Sequence, residues 1–460
     1  YINISFWLKL QTLLKRPIQI LSGSGVFCRK EETMTFSILT FGCKVNSCES
    51  AAIHDAFLAA GYSPAAEGEP ADVCIINSCA VTGVGVKKAR QAVSHCRSLN
   101  PDCVTVLCGC YPQAYPDEAD RDCAADIITG NADKSRLSEL VAQFLSERRH
   151  IACVSPLTRE FDRDSSVADI DRTRAFIKIE DGCDRFCTYC IIPTARGRVR
   201  SRKPEDITAQ AVRAAAAGNR EIVLTGINIG CYGEDIGCTP ADAVMAAQVD
   251  GIERVRLGSL EADTLTDGEI QRLKACGRLC PHFHLSLQSG SDTVLQRMKR
   301  RYTTAEYYAL VQKLREAFPG CAITTDIMAG FPRVTDEEFA ESMAFAEKVG
   351  FAKIHVFPYS IRRGTVAAMR TNQVVPQIKS ARAKEMNRLA ERLERQFLES
   401  RTGTIQTVLI EKRTSPDYCN GFTDSYIPVR IYGEDITRHT LAKVKITGVE
   451  GDHCTGTTEF

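Results

Sequence analysis

The sequence predicts an α/β protein in three parts: an open parallel α/β domain, a partial (β/α)6 barrel and a small antiparallel β-barrel of OB-like kind. Two patterns predict this. Short apolar runs alternate with amphipathic stretches from residue 35 to about residue 400, as in parallel strands covered by helices. The last sixty or so residues drop that alternation and carry β-like runs between turn residues. A length of 460 residues, at roughly 150 per domain, allows about three domains.

Residues 1–33 precede the pattern. Lys9, Lys15, Arg16 and Pro17 interrupt their apolar positions, so no membrane-spanning run exists there. A basic start before an apolar patch has a faint likeness to a signal peptide, but secretion conflicts with metal-binding thiols. These residues are expected to be a non-native upstream extension, with Met34 as the true start. In the first domain, 34–150, the expected strands are Ser37–Phe41, Val73–Ile76 and Val104–Leu107. Its expected helices are Ser50–Ala60, Val86–Leu99 and Ser135–Leu145. Residues 151–174, with Pro156 and many charges, read as a linker.

The central part, 175–400, carries six strand candidates: Ala175–Ile179, Glu221–Leu224, Arg254–Leu257, His282–Leu285, Ala322–Ile327 and Lys353–Phe357. Helical stretches such as Pro204–Ala217 and Asp336–Val349 fall between them, which predicts a partial barrel. The charged helix Gln377–Ser400 closes it. In 401–460, Thr404–Ile410, Ser425–Ile431 and Leu441–Thr447 are the β-like runs.

Composition is that of an ordinary globular chain, with 44% hydrophobic and 25% charged residues. A net charge of +1 gives no global basic field, so any nucleic-acid contact must come from local patches. Cysteine is the informative count. There are 21, an odd number in a chain too long to need disulfide staples. A reducing, cytoplasmic setting without membrane attachment is the expectation, since oxidised thiols cannot ligate metal.

Cys183, Cys187 and Cys190 form a CxxxCxxC directly after the candidate strand ending at Ile179. Barrel enzymes place their chemistry at such strand ends. Three thiolates can hold one face of a cubane and leave one iron open. Zinc ribbons use paired CxxC units, and no second pair lies nearby. Other small or polar residues recur just after strands: Thr225 and Gly226, Ser259, Gln288 and Ser289, and Gly330. Each is a candidate cofactor contact or a simple turn residue.

A second trio, Cys43, Cys79 and Cys110, follows the three strand candidates of the first domain. In open parallel sheets ligands bind beyond these ends. Cys48, Cys74, Cys96, Cys103 and Cys108 are better suited to core or surface. Cys108 competes with Cys110, but Cys110 follows Gly109 in the turn and is freer to face a ligand.

The CxxxCxxC spacing resembles that of the radical S-adenosylmethionine (SAM) superfamily. Phe41–Asn46, Asn77–Thr82 and Gly109–Tyr111 resemble the three cluster motifs of the methylthiotransferase family, and the likeness runs from Met34 to the carboxyl terminus. The resemblance implies two [4Fe-4S] clusters, one on each trio, and SAM held near Thr225, Gly226, Ser259, Gln288, Ser289 and Gly330. It implies C2–H abstraction from a tRNA adenosine, sulfur insertion and S-methylation by a second SAM. An electron donor such as flavodoxin or ferredoxin and a tRNA anticodon loop are the implied partners. Among the family's branches, Gly42–Asn46, Cys190–Arg202, His355–Ser360 and Arg362–Thr365 look most like the one acting on threonylcarbamoyladenosine. The other branches act on isopentenyladenosine of tRNA or on an aspartate of a ribosomal protein. A non-catalytic iron–sulfur RNA-binding protein is the reading from another class.

The carboxyl-terminal barrel resembles the TRAM RNA-binding module around Gly421–Val429 and is expected to grip RNA near the pocket. The chain departs from the family's pattern at Thr194, at Gly258 in place of a serine, at Arg333–Val334 in place of Gly-Glu, and at Asp424–Ser425. Arg196, Arg198, Arg200, Arg202 and Lys203 follow the cluster motif and are expected to meet RNA phosphates.

Overall fold

The computed structural model describes residues 33–161, 173–413, 415, 418–433 and 437–458. The expected upstream extension, apart from Thr33, and residues 162–172 of the expected linker lie outside them.

The first sheet has six parallel strands in the order Ser63–Pro64, Thr35–Thr40, Val73–Ser78, Val104–Gly109, Ile127–Thr129 and Ile151–Cys153. Its central strands are apolar on both faces because helices cover both. Val73 and Ile75 join Phe57 and Val141 on one face, while Cys74 and Ile76 join Ala89 and Val93 on the other. The three expected strands are present, and the sequence reading missed the three short ones. At two or three residues they are too brief to show alternation. Ile151–Cys153 pairs with Ile127–Thr129, so the sheet extends past the boundary expected at residue 150. The helix expected from Ser50 starts at Lys44. Its first turn is polar because it serves the site described below.

The central strands Arg254–Leu257, Glu221–Thr225 and Arg174–Lys178 form one parallel sheet. Ser259–Leu260, His282–Leu285, Ala322–Ala329 and Lys353–Pro358 form a second. A bridge from Val255 to Leu279 joins the run, while Arg174–Lys178 and Lys353–Pro358 are not paired to each other. The six expected strands are therefore present in a barrel open along one seam. Helix Lys44–Ala59 lies against the seam strand Arg174–Lys178, where the Cys48 thiol meets the Phe176 carbonyl at 3.7 Å. Helix Pro376–Glu399 packs on the other seam strand.

Five strands close the carboxyl-terminal barrel in the order Ile405–Arg413, Tyr418–Thr423, Pro428–Tyr432, His453–Thr457 and Leu441–Glu450. The expectation of a wholly antiparallel barrel needs one correction: Pro428–Tyr432 pairs parallel with His453–Thr457. Closure of five strands requires one same-direction pair, since five alternating directions cannot meet. Arg254 and Arg256 donate to the carbonyls of Phe422, Thr423 and Asp424, so this barrel docks at the amino-terminal ends of the central strands. No described helix is long and apolar enough to cross a membrane.

Candidate functional site

Both thiol trios occupy turns where parallel strands leave their sheets. For the first, Glu180–Asp181 leads into Gly182, whose φ is +85°. A Cβ there would lie 2.0 Å from the Arg198 carbonyl oxygen, so the turn requires glycine. Backbone bonds from Cys183 to Gly197 and from Thr188 to Met298, both 3.0 Å, fix the loop. Cys183 is buried and Cys187 and Cys190 are half-buried. Burial pushes the Cys183 and Cys190 thiols up to about 12. Such thiols give up their protons when a cationic centre binds the sulfur. Arg300 Nη1 donates to Cys187 Sγ at 3.5 Å and is itself held by Glu261 at 2.7 Å.

The second trio comes from three strands that are neighbours in the first sheet. Asn46 Nδ2 donates to the Phe41 carbonyl at 2.8 Å and the Ser78 carbonyl at 3.0 Å, which ties two of the turns together. A Cβ on Gly109, at φ +100°, would lie 2.6 Å from the Ser78 carbonyl oxygen, so glycine lets the third turn close in. Burial pushes the Cys79 thiol up to about 12, and charge on Cys110 and Cys43 adds to this. Cys43 is exposed, Cys79 half-buried and Cys110 buried; desolvation by the protein around it still raises the Cys43 thiol, with the Arg196 guanidinium opposing. Asn131 Nδ2 donates to Cys110 Sγ at 3.5 Å. Cys108 and Cys110 are both buried, on opposite faces of the sheet.

Among the described residues, no three His, Cys, Asp or Glu side chains converge on a single ion. A cubane takes its thiolates at separate corners and wants them farther apart than one ion does. What each trio does offer is a donor aimed at one sulfur, Arg300 at Cys187 and Asn131 at Cys110, as a cluster-bound thiolate would accept.

Arg196 ties the two trios together. It is fully buried, donating to Asn46 Oδ1 at 2.6 Å, Glu49 at 2.7 Å and Asp181 at 3.1 Å. Burial penalises the Glu49 and Asp181 carboxylates, but Arg196 and neighbouring cations outweigh it and hold both well below the usual range. The sequence reading missed this residue's role because its arginine run was assigned to RNA. That expectation is corrected. Arg196, Arg200 and Arg202 are buried, and only Arg198 and Lys203 are exposed. Arg200 pairs with Asp181 at 3.2 Å, and Arg202 donates to the Lys178 carbonyl.

The remaining candidates divide. Thr225 is buried at its strand end, and a Cβ on Gly226 would lie 2.6 Å from Glu180 Oε2. Gln288 is buried at φ +71° with its Oε1 unpartnered among the described residues. Ser259 lines a cavity in the barrel. Ser289 bonds Ser342 at 3.0 Å, and a Cβ on Gly330 would meet Lys379 Cγ at 2.4 Å, so packing accounts for those two. Glu180 is a site residue the sequence did not flag. Its Oε2 accepts from the Ile227 and Asn228 amides at 2.7 and 2.8 Å, its Oε1 is unpartnered among the described residues, and burial pushes its carboxyl well above the usual range.

Residues 177–346 match a family model described as the radical SAM superfamily, and residues 35–130 one described as uncharacterized protein family UPF0004. A threonylcarbamoyladenosine tRNA methylthiotransferase of Bacillus subtilis (strain 168) is 38% identical, covering 90% of this chain and 93% of its own. A tRNA-2-methylthio-N(6)-dimethylallyladenosine synthase of Anoxybacillus flavithermus is 33% identical, covering 90% and 80%. The fold is similar to that of the radical SAM methyltransferase TsrM from Kitasatospora setae, with TM-score 0.54 and 13% identity over 73% of this chain and 77% of that one.

Proposed function

We propose that this chain, which belongs to the radical SAM tRNA methylthiotransferases, converts threonylcarbamoyladenosine at position 37 of tRNA to its 2-methylthio derivative. Membership of the family implies a [4Fe-4S] cluster and SAM. Cys183, Cys187 and Cys190 would hold that cluster, and Cys43, Cys79 and Cys110 a second. When bound, the clusters and SAM supply the radical chemistry and the sulfur.

The chain's own residues do the rest. Arg300 donates to Cys187 sulfur and Asn131 to Cys110 sulfur, contacts that would orient these sulfurs towards a bound cluster. Arg196 places a buried cation beside the second trio and locks its turns to the barrel. Thr225, Gly226, Ser259 and Gln288 would be the residues that face SAM. An anticodon-loop base is unstacked easily enough to enter such a site. Electrons would come from a reduced flavodoxin- or ferredoxin-type protein, in the cytoplasm.

The observation that carries the reading is the pair of thiol trios at strand ends, joined through Arg196. The substrate assignment is supported by the higher identity to the threonylcarbamoyladenosine enzyme than to the dimethylallyladenosine one. Mass spectrometry of tRNA nucleosides from cells with and without the gene tests it. Loss of the 2-methylthio form of threonylcarbamoyladenosine is expected. Loss of 2-methylthio-isopentenyladenosine instead would reassign the substrate. Cys187→Ala should abolish SAM cleavage, whereas Cys79→Ala should keep it and stop sulfur insertion. Methylthiolation surviving in Cys79→Ala would defeat the two-cluster scheme.

A further inference from the structure

Lys44 is the residue immediately after Cys43, and its side chain leaves the first domain for the barrel seam. Its Nζ lies 5.9 Å from the ring centroid of Phe176 on the seam strand. There it lines a cavity of about 470 Å³ together with Ser259, His284, Asp326 and His355, with Tyr426 of the small barrel at the lower end. The other charges around this cavity are matched. His284 meets Asp326 at 3.1 Å, and Lys353 meets Glu394 at 2.7 Å. Lys44 has no ion pair among the described residues. The carboxylate whose charge reaches it, Glu221, is already held by Arg174 at 2.9 Å and Arg256 at 2.8 Å.

An ammonium without an ion pair, exposed to a polar recess, can receive an anion. The recess holds Lys44, which follows Cys43 in the chain, and Ser259, and it runs down to Phe422 and Tyr426 at the small barrel. On an adenine, C2 and the substituent on N6 belong to one six-membered ring. A base placed with its C2 towards the second trio would have its N6 substituent free to enter the recess that Lys44 lines. A threonylcarbamoyl group ends in a carboxylate and a hydroxyl, which suit a recess lined by an ammonium, serine, threonine and imidazole. An isopentenyl group would leave those same polar groups unpaired.

We infer that Lys44 is the anion receptor that reads the N6 substituent, pairing with the free carboxylate of the threonylcarbamoyl group. This rests on the substrate reading above. The test uses the reconstituted holoenzyme and three anticodon stem-loops carrying, at position 37, threonylcarbamoyladenosine, its carboxyl methyl ester, or plain adenosine. Affinities are read by fluorescence anisotropy. The wild type should bind the acid tighter than the ester. Lys44→Met should weaken the acid alone, by on the order of ten- to a hundredfold, to the level of the ester. Lys44→Arg, which keeps the charge, should retain a preference for the acid. Equal weakening of all three loops would make Lys44 a phosphate contact and overturn the inference. So would equal wild-type affinity for acid and ester, whatever the variants do. A wild type that binds plain adenosine as tightly as both modified forms would instead bring down the substrate reading.

Discussion

Arg333 is one of few non-glycine residues with positive φ, at +67°, and it is exposed. It stands where the family's pattern has glycine, so a departure visible in the sequence marks a strained turn. A left-handed conformation costs an L-residue about 1–2 kcal/mol, partly offset because glycine loses more freedom on folding. Arg333→Gly should raise stability by about 0.5–1 kcal/mol, read as a higher thermal midpoint. Gly258 is a second departure, and a Cβ there would lie 2.8 Å from Ile229 Cδ1. The absent serine is thus matched by the neighbour it would strike. Glu180 presents the opposite case, a buried polar group no motif announced. Glu180→Ala would leave the Ile227 and Asn228 amides unpaired, at a cost of roughly 1–3 kcal/mol each. Glu180→Gln keeps an acceptor and should lose much less. Equal destabilisation of the two variants in denaturant titrations would show that these bonds do not matter.

Among the elements, helix Asp336–Val349 shows what titration does to the fold. Glu338 completes a capping box with Thr335 and takes Arg297 in two bonds, at 2.7 and 2.6 Å. The Arg297 bonds hold its carboxyl down at about 2, below its ordinary value of 4.5. A depressed carboxyl contributes stability above its unfolded pKa and loses it as pH falls through the folded value. The thermal-midpoint gap between wild type and Glu338→Gln should therefore be full above about pH 4.5 and should close toward pH 2. A gap independent of pH would mean that packing, not charge, carries it. Elements of this kind were legible in the sequence. The helix bounds Asp336–Val349 and the six barrel strands follow from periodicity and capping, which are local. While the role of the six cysteines as ligands belongs to the proposed function, the placement of Cys43, Cys79, Cys110 and the Cys183–Cys190 loop just past strand ends was legible for the same reason. Strand Ile151–Cys153, the early start of the helix at Lys44 and the burial of Arg196 were not. Each depends on partners far along the chain, such as Glu49 for Arg196, and local patterns carry no such information.

At the scale of the whole molecule, Glu221 decides how the small barrel is held. It is the first residue of the middle barrel strand and is fully buried. Arg174 and Arg256 bond it, and Arg254 approaches at 3.8 Å. The same arginines turn outward to the small barrel: Arg254 to the Thr407 and Phe422 carbonyls, Arg256 to those of Thr423 and Asp424, Arg174 to Glu411. Phe422 and Tyr426 stack against each other, and Arg174 and Arg256 cover them at 4.6–5.1 Å. One carboxylate thus orients three cations, of which Arg254 and Arg256 grip the small barrel by its backbone and Arg174 by the Glu411 carboxylate. Replacing Glu221 by Gln would leave those cations buried and mutually repelling, a loss of about 3–5 kcal/mol for a broken buried pair. The loss should be local to the docking face, because the thiol trios lie at the other end of the strands. Hydrogen exchange should rise in 405–457 while bound iron and SAM cleavage hold, and affinity for tRNA should fall. If exchange rises equally in the first sheet, the charge hub serves the fold as a whole and not the small barrel's grip.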